Sequence, residues 1–226
     1  MRPWQHARAS AARGGRAWSD DLPIHEFVDR TKASLADLRH RMILHNSDLG
    51  PALAARAFAA LAHAEEVARA HAREDLGAHV PLSWWLDQLE PARLPRRRDD
   101  GDDGALIARA TAHFGLDDDA EPRAVHALLT LPERFAPAHA AASRAVLCND
   151  AGISIVRAVL GPAREVPTRR ARPVVFDPAW CAEAMVMAWF RQIPSLANVA
   201  DALRADTALR LDELRRPSQH NAHTFK

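Results

Sequence analysis

The sequence predicts an all-α protein made of two related helical units packed as a pseudo-dimer. Three observations carry that expectation. Most of the chain is Ala, Leu, Val and Arg, laid out in long stretches between Pro, Gly and Asn stop signals. Only Val174-Val175-Phe176 reads as extended. Two segments in opposite halves also resemble each other: Arg41 to Gly50 lines up with Arg144 to Gly152 after deletion of one residue.

The elements follow in order. Residues 1–20 read as a loose arm holding Gly14-Gly15. A helix is expected from Leu22-Pro23 to His45, with Asp20 or Asp21 as N-cap and Pro23 in its first turn. Asn46-Ser47-Asp48-Leu49-Gly50-Pro51 is a stop and restart. A second helix, Ala-rich, is expected from Pro51 to Leu76, closed by Gly77. Val80-Pro81 then opens a short helix through Trp84, Trp85 and Leu89. Residues 1–90 form the first unit and 91–104 a linker, in which proline, glycine and opposite charges alternate. The second unit spans 105–215, with helices over 105–115, 121–131, 136–148, 152–160, 178–191 and 195–212. Residues 216–226 read as a disordered tail.

Composition narrows the function classes. A formal charge of +1 creates no general field for nucleic acid or an anionic membrane. No apolar run approaches the roughly 18–20 residues that span a bilayer. The first residues lack the apolar core of a secretory signal, so a cytoplasmic protein is expected. Cys148 and Cys181 are too few for a disulfide scaffold and read as buried thiols. Lysine occurs only at positions 32 and 226, although Lys and Arg together number 30. Trp84-Trp85, Trp180 and Trp189-Phe190 read as core anchors.

The repeat extends beyond its anchor. Val80-Pro81-Leu82 echoes Ile193-Pro194-Ser195 at a comparable distance. In this alignment His40 falls on Ser143, His45 on Cys148, His71 near Ala184 and Asp75 near Ala188. The second copy keeps a scaffold and loses the polar residues.

Chemistry-bearing residues concentrate in the first copy. They lie in Ile24-His25-Glu26-Phe27-Val28-Asp29-Arg30-Thr31-Lys32, Arg39-His40-Arg41, His45-Asn46 and His71-Ala72-Arg73-Glu74-Asp75. With Trp4-Gln5-His6-Ala7 and Gly14-Gly15, this set resembles an uncharacterised domain family of bacteria and phages. That family carries I-H-x-[FW]-x-D-x-[ST]-K, then R-H-R, a following His, and a His ahead of E-D-L-G. The resemblance covers residues 3–90 closely and the second half only through short segments such as Asn149-Asp150-Ala151-Gly152. It implies a domain and a motif set, and no reaction.

A helix turns about 100° per residue, which would set His25, Asp29, Lys32 and His40 on one face and turn His45 away unless the helix ends before it. His71 and Asp75 are an i,i+4 pair and project together. Packing the two helices would gather His25, Asp29, His40, His71 and Asp75 as ligands of a divalent transition metal: Zn, Mn, Fe or Ni. Lys32, Arg39, Arg41 and Glu74 would serve as catalytic groups, the cations for an oxyanion and the carboxylate as base. The reading is a metal-binding helical protein, a metal-dependent hydrolase of a phosphoester if an enzyme. Two alternatives stay open. One is a non-catalytic protein-interaction module whose polar cluster is architectural, the other a nucleotide or nucleic-acid binder using Lys32, Arg39 and Arg41. His63, His79, His113, His126, His139, His220 and His223 read as incidental.

Overall fold

Fourteen α-helices and one antiparallel ribbon make up the described residues, so the chain is all-α. The computed structural model describes residues 2–96, 102–169 and 172–215. Residues 97–101 of the expected linker and the expected tail at 216–226 lie outside them.

The first half holds α1 (Pro3–Gly14), α2 (Trp18–Val28), α3 (Arg41–Leu44), α4 (Leu49–Ala57), α5 (Ala64–Leu76) and α6 (Leu82–Asp87). The second holds α7 (Asp103–Phe114), α8 (Ala120–Leu129), α9 (Leu131–Phe135), α10 (Ala140–Leu147), α11 (Asp150–Leu160), α12 (Pro178–Phe190), α13 (Leu196–Ala200) and α14 (Thr207–Arg215). Val174–Phe176 is extended as expected; it pairs with Arg164–Val166, a strand the sequence did not announce. No helix among the described residues is long and apolar enough to cross a membrane.

The expected arm is a helix. Pro3 opens α1 in its first turn, and Gly15 closes it at φ 64°, the left-handed conformation that only glycine adopts cheaply. The expected helix from 22 to 45 is broken. It starts earlier, at Trp18, carries Pro23 inside, and ends at Val28. Two 3-10 turns follow, Asp29–Ala33 and Leu38–His40, before α3. The cause is side-chain competition for backbone groups. The Thr31 hydroxyl donates to the His40 carbonyl at 3.1 Å, and the Asp37 carboxylate accepts from the Arg39 amide at 2.8 Å, capping a fresh helical start. The expected helix from 51 to 76 folds back between Phe58 and His63 into α4 and α5, which pack on each other. One rod of that length would leave half its apolar face in water. The fold-back lets Phe58 meet Phe27 edge to face at 5.8 Å.

In the first half α2, α4 and α5 pack together, with α1 laid along α2. In the second, α8, α11 and α12 pack together in a similar way, with α7 against α8 and α12. α4 meets α11 across the middle. One apolar cluster runs through both halves, from Ile24, Phe27, Leu53 and Trp85 to Val146, Ile155, Phe176 and Met185. Full burial of each such side chain contributes about 1.5–3 kcal/mol. Trp85 and Trp189 are core anchors as expected, whereas Trp180 is 59% exposed. Cys148 and Cys181 are buried and not joined by a disulfide.

The repeated sequence builds a repeated local structure. The Asn46 amide donates to the carbonyls of Met42 and Ile43 and its oxygen accepts from the Gly50 amide. Asn149 makes the same three bonds, to Ala145, Val146 and Gly152. Asp48 accepts from the Leu82 amide, and Asp150 accepts from the Leu196 amide. Leu82 therefore corresponds to Leu196 and Pro81 to Ser195, one residue off the register read from the Ile-Pro-Ser echo.

Candidate metal centre

The loss of the continuous helix decides which side chains meet. Because the chain turns back after Asp29, α3 runs alongside the 3-10 turn and ends at Leu44. The next residue, His45, points inward and is 0% exposed. α5 contributes His71 and, one turn on, Asp75. Asp29, His45, His71 and Asp75 each offer one donor atom, and these atoms all lie within 4.8 Å of one another. His45 Nε2 is 3.3 Å from Asp29 Oδ1 and 3.3 Å from Asp75 Oδ2. His71 Nε2 is 3.4 Å from Asp29 Oδ1 and 3.8 Å from Asp75 Oδ2.

These spacings carry chemical information. Hydrogen bonds between nitrogen and oxygen close at about 2.7–3.2 Å. Donors around a four-coordinate ion with bonds near 2.1 Å sit about 3.4 Å apart. His45 Nε2, His71 Nε2 and Asp29 Oδ2 are buried without a hydrogen-bond partner among the described residues; Asp29 Oδ1 meets Lys32 Nζ at 2.5 Å. Buried polar atoms without partners are costly, and several aimed at one point are what a cation would satisfy.

A hydrogen-bonded chain sets the tautomer of His71. Ser10 Oγ donates to Asp21 Oδ2 at 2.7 Å and lies 2.9 Å from His25 Nε2. His25 Nε2 therefore donates to the hydroxyl, and His25 Nδ1 is left to accept. His71 Nδ1, 2.6 Å away, donates to it. His71 Nε2 is then the unprotonated nitrogen, its lone pair facing the donor group. Such outer partners orient ligating imidazoles in metal sites generally.

Burial, reinforced by its His71 and His6 neighbours, pushes the His25 pKa down to about 3. Burial lowers His71 as well, so both rings are neutral, as ligands must be. Burial alone would raise Asp29 and Asp75. His45 and Lys32 beside Asp29, and His45 and His6 beside Asp75, instead hold both carboxyls well below the usual range. His6, His25 and His71 form a second cluster of nitrogens within 4.8 Å. The His25–His71 separation is that of a hydrogen bond, shorter than two ligands of one ion keep. His6 stacks on His71 at 4.3 Å between ring centres and lies 3.2 Å from Asp75 and 3.0 Å from Glu74. The Asp75 carboxylate beside it outweighs burial and raises its pKa. This triad is thus the support of the four-donor group.

Of the residues singled out from sequence, Asp29, His71 and Asp75 lie in the four-donor group, and His25 stands behind His71. His40 lies outside it: its Nδ1 bonds the Asp37 carbonyl, and its ring meets that of His45 edge to face at 5.2 Å. Lys32 Nζ is 2.5 Å from Asp29 Oδ1. Arg41 donates to the Asp75 carbonyl at 2.9 Å and lies 3.5 Å from its carboxylate. Glu74 is held by His6 and Arg13. Arg39 turns away, to Asp37 and Asp201.

A continuous helix would face His45 outward, and the early end of α2 at Val28 is what admits it as a donor. Sequence reasoning missed His6 because the arm was read as loose, although the Trp4-Gln5-His6-Ala7 motif marked it. His63, read as incidental, lies 3.2 Å from Asp21. At the aligned positions of the second copy, Ser143 and Cys148 are buried in place of His40 and His45. Among the described residues both donor clusters fall in the first half.

No curated protein and no solved structure matches the chain. Residues 1–94, the stretch that contains every member of both clusters, match the family described as Domain of unknown function (DUF6915).

Proposed function

We propose that the first half is a metal-binding unit in which Asp29, His45, His71 and Asp75 hold one divalent transition metal, Zn, Mn, Fe or Ni. The observation that carries this reading is the set of four donor atoms brought from three separate segments to ligand spacing, with both imidazole Nε2 atoms buried and without hydrogen bonds among the described residues. Two imidazoles and two carboxylates suit these ions and fit a hard, all-oxygen calcium site poorly.

The reaction proposed is hydrolysis of a phosphoester. A bound metal would supply Lewis acidity and an acidified water. Asp29 and Asp75 are the least buried of the four donors, and each carries a cation, Lys32 or Arg41. Those two cations stand where the oxyanion of an arriving phosphoester would be neutralised. Glu74, held in place by His6 and Arg13, is the nearby carboxylate for proton transfer. A second reading is favoured by the burial of His45 and His71, both 0% exposed. Four protein ligands shut off from water are typical of structural sites.

We also infer that the halves arose by duplication and pack as a pseudo-dimer. Leu89 and Leu203, at equal offsets from Leu82 and Leu196, bridge to each other, as equivalents across a two-fold axis would.

Elemental analysis of untagged protein, with His71→Ala as the control, tests the centre. Near-stoichiometric metal lost in the variant is expected; no metal after reconstitution overturns it. Turnover of a nitrophenyl phosphodiester by the metal-loaded chain, lowered about 10²-fold in Lys32→Met with metal retained, is the result expected of a hydrolase. Full metal without turnover on any phosphoester leaves the structural reading.

A further inference from the structure

A cavity of about 310 Å³ opens between the end of α1 and the outer face of α5. Four arginines line it: Arg13 and Arg16 from α1 and the turn after it, and Arg69 and Arg73 one turn apart on α5. Glu66 is the one carboxylate in its wall. The acids that pair with these arginines stand outside the lining. Glu74 takes Arg13, Asp21 takes Arg16 and Glu65 takes Arg69. These pairs hold three of the four guanidinium groups in place around the cavity. Arg73 has no ion-pair partner among the described residues.

This arrangement costs the helix something. Like charges at i,i+4, as Arg69 and Arg73 are, destabilise it, and a chain of net charge +1 has no general surplus of cations to place here. Guanidinium groups converging on a concavity match phosphate geometry through bidentate donation. The volume is at the lower end of small-ligand pockets and too small for a duplex. Buried Ser10 forms part of the lining, and its hydroxyl bonds His25, which bonds His71. A ligand here is therefore separated from the four-donor group by two side chains and does not touch it.

We propose that this cavity binds a phosphate-bearing small molecule of about mononucleotide size. The site is distinct from the metal centre and does not depend on it. Calorimetric titration of the full chain with AMP and with pyrophosphate, before and after removal of metal by a chelator, tests it. One-to-one saturable binding is expected, unchanged by metal removal and weaker at higher salt. Arg73→Gln, an exposed change with no partner to lose, should weaken binding about tenfold, and Arg69→Gln with Arg73→Gln more. Unchanged circular dichroism shows that both variants are folded. Binding that vanishes with the metal would place the phosphate at the metal centre and overturn the proposal. Equal affinity in the double variant, or no saturation by about 10 mM ligand, would overturn it too. So would binding confined to long oligonucleotides, which would identify a nucleic-acid surface.

Discussion

His25 and His40 are neutral in the folded chain because burial pushes their pKa values to about 3 and about 4. His71 shifts the same way, and His6 shifts up through its carboxylate partners. The consequence for stability has a definite sign. An unfolded histidine takes a proton at its ordinary 6.5, whereas folded His25 and His40 refuse it until pH 3–4. Their contribution is complete above the ordinary value and is lost as pH falls through that window. His6 acts in the opposite direction, with stability present at low pH and lost as pH rises, but it is outnumbered. The metal-free protein should therefore unfold at lower urea at about pH 5 than at about pH 7. An equal or higher midpoint at the acid pH would show that the buried rings are not neutral.

At the scale of elements, the Asn-capped turns before α4 and α11 hold each half together. Both turns bring a helix so close to the preceding one that only glycine fits. A methyl carbon on Gly50 would stand 2.0 Å from the Leu44 carbonyl oxygen, and one on Gly152 would stand 1.9 Å from that of Leu147. The obstacle is backbone, so the turn itself must open. Gly50→Ala and Gly152→Ala should each cost about 2 kcal/mol or more in denaturant unfolding. Gly104→Ala, in the first turn of α7 with nothing nearer than 3.4 Å, should be neutral or stabilising by up to about 1 kcal/mol. Similar effects at all three positions would refute the close-approach explanation. The repeat was visible in the sequence because Asn46, Gly50, Asn149 and Gly152 are fixed by local backbone geometry. The breaks at Val28 and Phe58 were not visible. Neither is marked by a strong stop signal: the first rests on side-chain bonds from Thr31 and Asp37 to backbone groups further along the same segment, the second on packing against a separate helix.

Across the whole molecule the halves are bound by few but specific links. The Glu90 amide donates to the Ala202 carbonyl at 2.7 Å and the Arg204 amide to that of Gln88 at 2.9 Å. Arg39 reaches Asp201, and Arg215 of α14 donates to the Leu76 carbonyl at 2.6 Å, at the end of the helix that carries His71 and Asp75. With one apolar cluster running through both halves, the chain should unfold in a single transition that coincides by tryptophan fluorescence and circular dichroism. Two separated transitions would mean that each half is stable alone and that these links are incidental.

The sequence by itself determined the helical class, the repeated Asn-Gly turns, the His71–Asp75 pair and the concentration of His and Asp donors in the first half. Each of these follows from composition, or from spacing within one or two turns, where the backbone fixes geometry. The tertiary structure alone decided that His45 joins Asp29 in place of His40, that His6, Ser10 and His25 stand behind His71, and that Arg39 leaves the site. Those placements depend on where the chain turns back and what it then packs against. Burial in a shared core sets both, and no local stretch of sequence contains its own packing partner.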